Sequence, residues 1–110
     1  MIARIWSART SDTDNANTYQ NLFPTDALDH LRKLAGFQGA YLLRRDHNTG
    51  AEFVAVTLFE SLDAVHGFAG DDYEEANVSQ PAREILDDID ERVRHFTVVV
   101  ADGVHVSAPS

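Results

Sequence analysis

The chain has 110 residues, is 44% hydrophobic and 25% charged, contains no cysteine and carries a formal net charge of −9. That size is one domain with a single core. The missing thiols exclude disulfides, thiolate metal sites and a cysteine nucleophile. The acidic balance disfavours phosphate backbones and anionic lipid, so neither nucleic acid nor a membrane is an expected partner.

Ile2–Arg9 alternates, carries Ile5 and Trp6, and is predicted as the first strand. Ser11, Asp12 and Asp14 form a helix-start signal, after which Ala16, Tyr19, Phe23, Ala27, Leu31 and Leu34 recur at helical spacing. Pro24 interrupts this stripe without shifting its phase, which predicts a kinked or two-piece helix ending at Gly36. Gln38–Asp46 and Ala51–Glu60 are predicted strands around the turn His47-Asn48-Thr49-Gly50. Ser61 then caps a short helix, Leu62–Ala69, with Leu62, Val65, Phe68 and Ala69 on its buried stripe, closed by Gly70.

Asp71–Ser79 is expected to be irregular, and Ser79-Gln80-Pro81 to open a helix running to Ile89. Arg92–Ala101, centred on FTVVVA, is the last predicted strand, and residues 102–110 form an expected flexible tail beyond a domain spanning 1–101. The acidic clusters Asp71, Asp72, Glu74, Glu75 and Asp87, Asp88, Asp90, Glu91 read as solvated faces. No apolar run approaches the roughly 20 residues that span a bilayer. The sequence MIARIW offers no charged-then-apolar leader, and a cytoplasmic location is expected.

The order β-α-β-β-α(α)-β predicts an α+β, ferredoxin-like antiparallel sheet with helices on one face. Both faces of the strands are apolar, whereas a sheet with one solvated face alternates cleanly. A second copy is expected to cover the open face, giving a homodimer.

The strand–Glu-Ser–helix unit in EFVAVTLFESLDAVHGFAG, with Phe59 before Glu60 and Ser61, resembles the central signature of the antibiotic biosynthesis monooxygenase (ABM) superfamily. The resemblance runs over roughly Met1–Val100 and implies a dimeric α+β barrel. In its quinone-forming branch the working residues are an asparagine and a tryptophan on the third strand and a tyrosine in the next helix. These positions map onto Ala55, Phe59 and Val65. In the heme-degrading branch they are a first-strand asparagine, a helix tryptophan and an iron-binding histidine, mapping onto Ser7, Phe68 and Asn77. Neither set is present.

A turn at His47–Ala51 places Arg45 opposite Glu52. One face then carries Tyr41, Leu43, Arg45, Glu52, Val54, Val56 and Leu58, and the other Ala40, Leu42, Arg44, Phe53, Ala55, Thr57 and Phe59. A slip of one residue reverses the two. The second face, mixing small and aromatic residues, leaves volume for a pocket. There Arg44 either holds a phenolate or carboxylate or reaches water or an acidic helix residue. His95 is either a general base or a hydrogen-bonded sheet histidine. His30, His47, His66 and His105 read as solvent-facing, turn or tail residues.

The expected site is therefore His95 as base, with Trp6, Ser7, Arg44, Thr57, Phe59 and Phe68 around an aromatic ligand, and with no metal or other cofactor. Two functions follow. One is a cofactor-independent monooxygenase acting on a phenol, hydroquinone or polyketide-type molecule. The other is a non-catalytic dimeric small-molecule-binding or stress-related domain of this type.

Overall fold

A computed structural model describes residues 1–103. The strands are β1 (Ile2–Thr10), β2 (Phe37–Asp46), β3 (Ala51–Phe59), β4 (Asp88–Ile89) and β5 (Arg94–Thr97). They form one antiparallel sheet in the order β2-β3-β1-β4, with β5 on the same edge of β1 as β4. Helices α1 (Thr13–Phe23), α2 (Asp29–Leu31), α3 (Leu62–Ala69) and α4 (Gln80–Ile85) complete the ferredoxin-like α+β fold.

Asp12 rather than Ser11 caps α1, accepting from the Asn15 amide at 3.0 Å. Ser11 is turned to Asp87, to which both its amide and its hydroxyl donate. The proline problem is solved by a π-helical turn, Pro24–Leu28, joining α1 to α2, in which the Asp29 amide reaches back to the Pro24 carbonyl. This wider turn keeps Tyr19, Phe23 and Leu31 on one buried face. At Gly36 (φ +84°) a Cβ would meet that of Ala64 at 2.5 Å, so only glycine fits where the chain enters β2. Ser61 caps α3 through the Ala64 amide, as the sequence indicates, but Leu62 is exposed and Val65 alone is fully buried on that helix.

The C-terminal third departs from expectation. Helix α4 stops at Ile85 because Asp87 and Asp90 donate their amides to the Arg9 and Ser7 carbonyls, drawing the chain into the sheet. The last strand ends at Thr97, not Ala101, since Thr97 already faces Ile2 and the Val98 amide takes the Met1 carbonyl. Val99 and Val100, with high strand propensity but no strand left to pair with, are 85% and 81% exposed. Most of the expected tail, residues 104–110, lies outside the described residues.

The hairpin register is the one set by Arg45 opposite Glu52, whose side chains pair at 2.6 Å. The helix-side face carries Phe53, Ala55, Thr57 and Phe59 of β3 with Arg4, Trp6 and Ala8 of β1, all in register. Ala8, Phe53 and Ala55 join Tyr19, Phe23, Ala82 and Leu86 in the main core. Phe59 joins Leu31 and Val65 in a second cluster. The opposite face carries Ile5, Val56 and Tyr41 in one row and Ser7, Val54 and Leu43 in the next. On it Tyr41, Leu43 and Phe96 remain 46%, 50% and 49% exposed.

Candidate functional site

Between the sheet and the helices lies a cavity of about 110 Å³. Its sheet wall is Arg4, Trp6, Ala55 and Thr57, and Phe68 of α3 also lines it. The helix wall is Tyr19, Phe23, Asp26, Ala27 and Leu31, and the segment Ala76–Ser79 also contributes to the lining. The aromatic lining is rigid. Tyr19 packs on Trp6 and Phe53 with centroids at 6.3 and 4.9 Å, and Trp6 donates its indole N–H to the Asp90 carbonyl at 2.8 Å.

Arg4 is the main electrostatic feature. It is 5% exposed, and no carboxylate pairs with it among the described residues. Its Nη1 donates to the Tyr73 carbonyl and, at 3.1 Å, meets His95 Nε2, while Nη2 donates to the Glu75 carbonyl at 3.2 Å. Three of the five guanidinium N–H groups are thus used, and Nε–H and one N–H of Nη2 have no partner among the described residues. Its Cζ sits 5.3 Å from the Phe68 ring centre. Burial pushes its pKa down to about 10, which leaves it charged at neutral pH but in an environment that disfavours the charge. A buried cation of this kind is stabilised by any anion that enters beside it.

His95 stands behind Arg4, not in the cavity lining. An arginine only donates, so Nε2 is the acceptor and the proton sits on Nδ1, which is buried without a partner. Burial, with the Arg4 charge second, pushes the His95 pKa down. The folded chain therefore binds fewer protons than the unfolded one below the ordinary histidine pKa. His95 contributes no penalty above about pH 6.5 and lowers stability as the pH falls below it. Denaturant midpoints are expected to fall from pH 7 to pH 5 less steeply in His95→Gln than in the wild type. Parallel profiles would contradict this protonation assignment.

Of the other expected site residues, Trp6, Thr57 and Phe68 line the cavity. Phe59 lies beneath it as core, fully buried and stacked on Phe68 at 5.7 Å. Ser7 faces the opposite side of the sheet, paired with Val54, and the cavity-facing neighbour is Trp6. Arg44 is on the helix side but at the sheet end, held by Asp46, Asn17 and Gln20 at 2.7 to 2.9 Å. Arg44→Ala is therefore expected to leave ligand affinity within about twofold of wild type and to change stability by less than about 1 kcal/mol. A tenfold affinity loss in a binding titration would return Arg44 to the site.

Sequence reasoning missed Arg4 and Asp26. Alternation along β1 was the available signal for Arg4, which stands two residues before Trp6 on the same face. For Asp26 it was the spacing of seven from Tyr19, two helical turns along one face. Asp26 accepts the Ser79 hydroxyl at 2.6 Å and, with burial the larger cause, helps push the Tyr19 phenol pKa well up.

Two solved structures of one protein match this arrangement. One is of the heme-degrader MhuD from Mycobacterium tuberculosis with two hemes bound in its active site: TM-score 0.64, 21% identity, 94% of this chain and 100% of that one covered. The other is a point mutant of MhuD with two manganese protoporphyrin IX bound per active site: TM-score 0.61, 22% identity, and the same coverage. The chain has the fold of MhuD. At that identity the likeness is one of fold alone. No family model matches the chain, and no curated protein does. Among the described residues no group of three or more histidines and acids is placed to hold a metal, and no helix is long and apolar enough to cross a membrane.

Proposed function

We propose that this chain is a homodimeric domain of the ABM superfamily that binds an aromatic anion and oxidises it without a resident cofactor. The observation that carries this reading is Arg4, a buried cation with two free donors among the described residues, in a cavity walled by Trp6, Phe23 and Phe68. Such a group favours the ionised form of a bound phenol or enol, and aromatic walls favour a planar ring. An electron-rich anion can react directly with oxygen. In that reaction a phenol and O₂ give a quinone and H₂O: a ring C–H and the phenol O–H are lost, one oxygen atom ends in the new carbonyl and the other in water. The substrate supplies all the electrons. Arg4 would hold the anion, His95 would orient Arg4, and Thr57 and Phe68 would help exclude water.

Heme, which MhuD degrades, does not suit the residues here. No histidine lines the cavity. Asn77 stands where the resemblance puts the iron ligand, and an amide is no strong iron ligand.

The dimer is proposed from the exposed apolar face formed by Tyr41, Leu43, Val54, Val56 and Phe96, which no helix of the same chain covers. The test of the oxidation is oxygen uptake by the metal-free protein with a panel of hydroquinones, anthrones and phenols. The account expects oxygen consumption with at least one of them, abolished in Arg4→Met. Binding without uptake would instead support the non-catalytic reading, which has one observation in its favour: His95 Nε2, the natural proton acceptor, is already taken by Arg4.

A further inference from the structure

A second charged side chain, Asp26, lines the same cavity as Arg4. Arg4 belongs to the sheet wall and Asp26 to the π-helical turn on the helix wall, yet the two do not pair within 4.0 Å. Asp26 accepts one bond, from Ser79, and a carboxylate has lone pairs for more. The same lining includes the apolar side chains of Trp6, Phe23, Leu31, Ala55 and Phe68. Size adds a further restriction. The volume, about 110 Å³, is close to the roughly 150 Å³ of an engineered protein cavity that takes up benzene.

We infer that the ligand is a single aromatic ring bearing an acidic group for Arg4 and, elsewhere on the ring, a hydroxyl that donates to Asp26. This rests on the anion-site reading above and deepens it. Two free guanidinium donors are the number a carboxylate takes in a two-pronged pair, and the Arg4 charge makes those bonds strong. An acid alone would cover the half-buried Asp26 carboxylate and strip water from it without supplying a donor. A hydroxyl there supplies the missing donor. A neutral or amine-bearing ring would leave Arg4 without its anion. The space inside the walls matches one ring, and a second ring would have to extend through the mouth of the cavity.

The test is calorimetric titration of the wild-type protein with benzoate, 3- and 4-hydroxybenzoate, 4-methoxybenzoate and 1-hydroxy-2-naphthoate. At least one hydroxybenzoate is expected to bind tenfold or more tightly than benzoate and 4-methoxybenzoate, on the order of one hydrogen bond to a charged group. The naphthoate is expected to bind more weakly than that hydroxybenzoate. Asp26→Ala should reduce the preferred hydroxybenzoate to the affinity of benzoate, and Arg4→Met should abolish the binding of both. If benzoate and the hydroxybenzoates bind equally, or the naphthoate binds best, this inference fails while the anion site stands. If no carboxylate binds at all, the anion-site reading fails with it. The wild-type comparison alone decides the matter should a variant not fold.

Discussion

Replacing Val56 by aspartate is expected to convert a dimer into monomers. Val56 sits mid-strand between Ile5 and Tyr41 on the sheet face turned away from the helices. In a lone chain that face is partly solvated, so an aspartate there is tolerated. Pressed against a second copy, the same carboxylate is buried without a partner, which costs about 3–5 kcal/mol. Sedimentation at micromolar concentration should give a two-chain mass for the wild type and a one-chain mass for a folded Val56→Asp. A wild type that stays monomeric, or a variant that stays dimeric, would remove the reason given for the apolar face.

Arg4→Met is the second large effect, and it separates binding from folding. Methionine keeps an apolar stem and deletes the guanidinium, whose Cζ sits over the Phe68 ring. Loss of the charged hydrogen bonds should weaken binding of an aromatic carboxylate by about 1.5–3 kcal/mol. Stability should move far less, because the variant also removes a buried cation that has no counter-ion, a change that is often neutral or favourable. The Tyr73 and Glu75 carbonyls lose their donor, which offsets part of that gain. A variant that loses stability and affinity together would make Arg4 a structural residue holding the 73–75 segment.

The hairpin was readable because two local signals agree: the His47–Gly50 turn and the Arg45–Glu52 charge pair both set one register. The same agreement made α3 readable, with Ser61 capping and Gly70 closing it at φ +80°. Elsewhere the deciding partner was remote in sequence. FTVVVA has strong strand propensity throughout, but pairing ends where β1 begins, and that limit is set by residues about 95 positions earlier. Leu62 looks apolar enough for the core, yet it is exposed, and Val65 with the partly buried Ala64 and Phe68 forms the core-facing side of α3.

The site was legible in its walls and not in its charges. Trp6, Thr57 and Phe68 could be placed from strand alternation and helix spacing. The hairpin puts Arg44 on the helix-side face, but at the end of the strand, where Asp46 neutralises it and the Asn17 and Gln20 amide oxygens accept its hydrogen bonds outside the cavity. Arg4 makes no such local pair. Its environment is assembled from Tyr73, Glu75 and His95, so nothing near it in the sequence marks it as buried. Ser7 and Trp6 show how one residue of register decides which side of a sheet a strand position serves.

The most direct measurement is the affinity of the wild-type protein for benzoate against benzamide, its neutral counterpart of almost equal shape, at pH 7 and low salt. A buried Arg4 with no carboxylate partner among the described residues predicts that the benzoate carboxylate binds at least about tenfold more tightly than the amide. Equal affinity, or a preference for the amide, would mean that Arg4 does not act as an anion site.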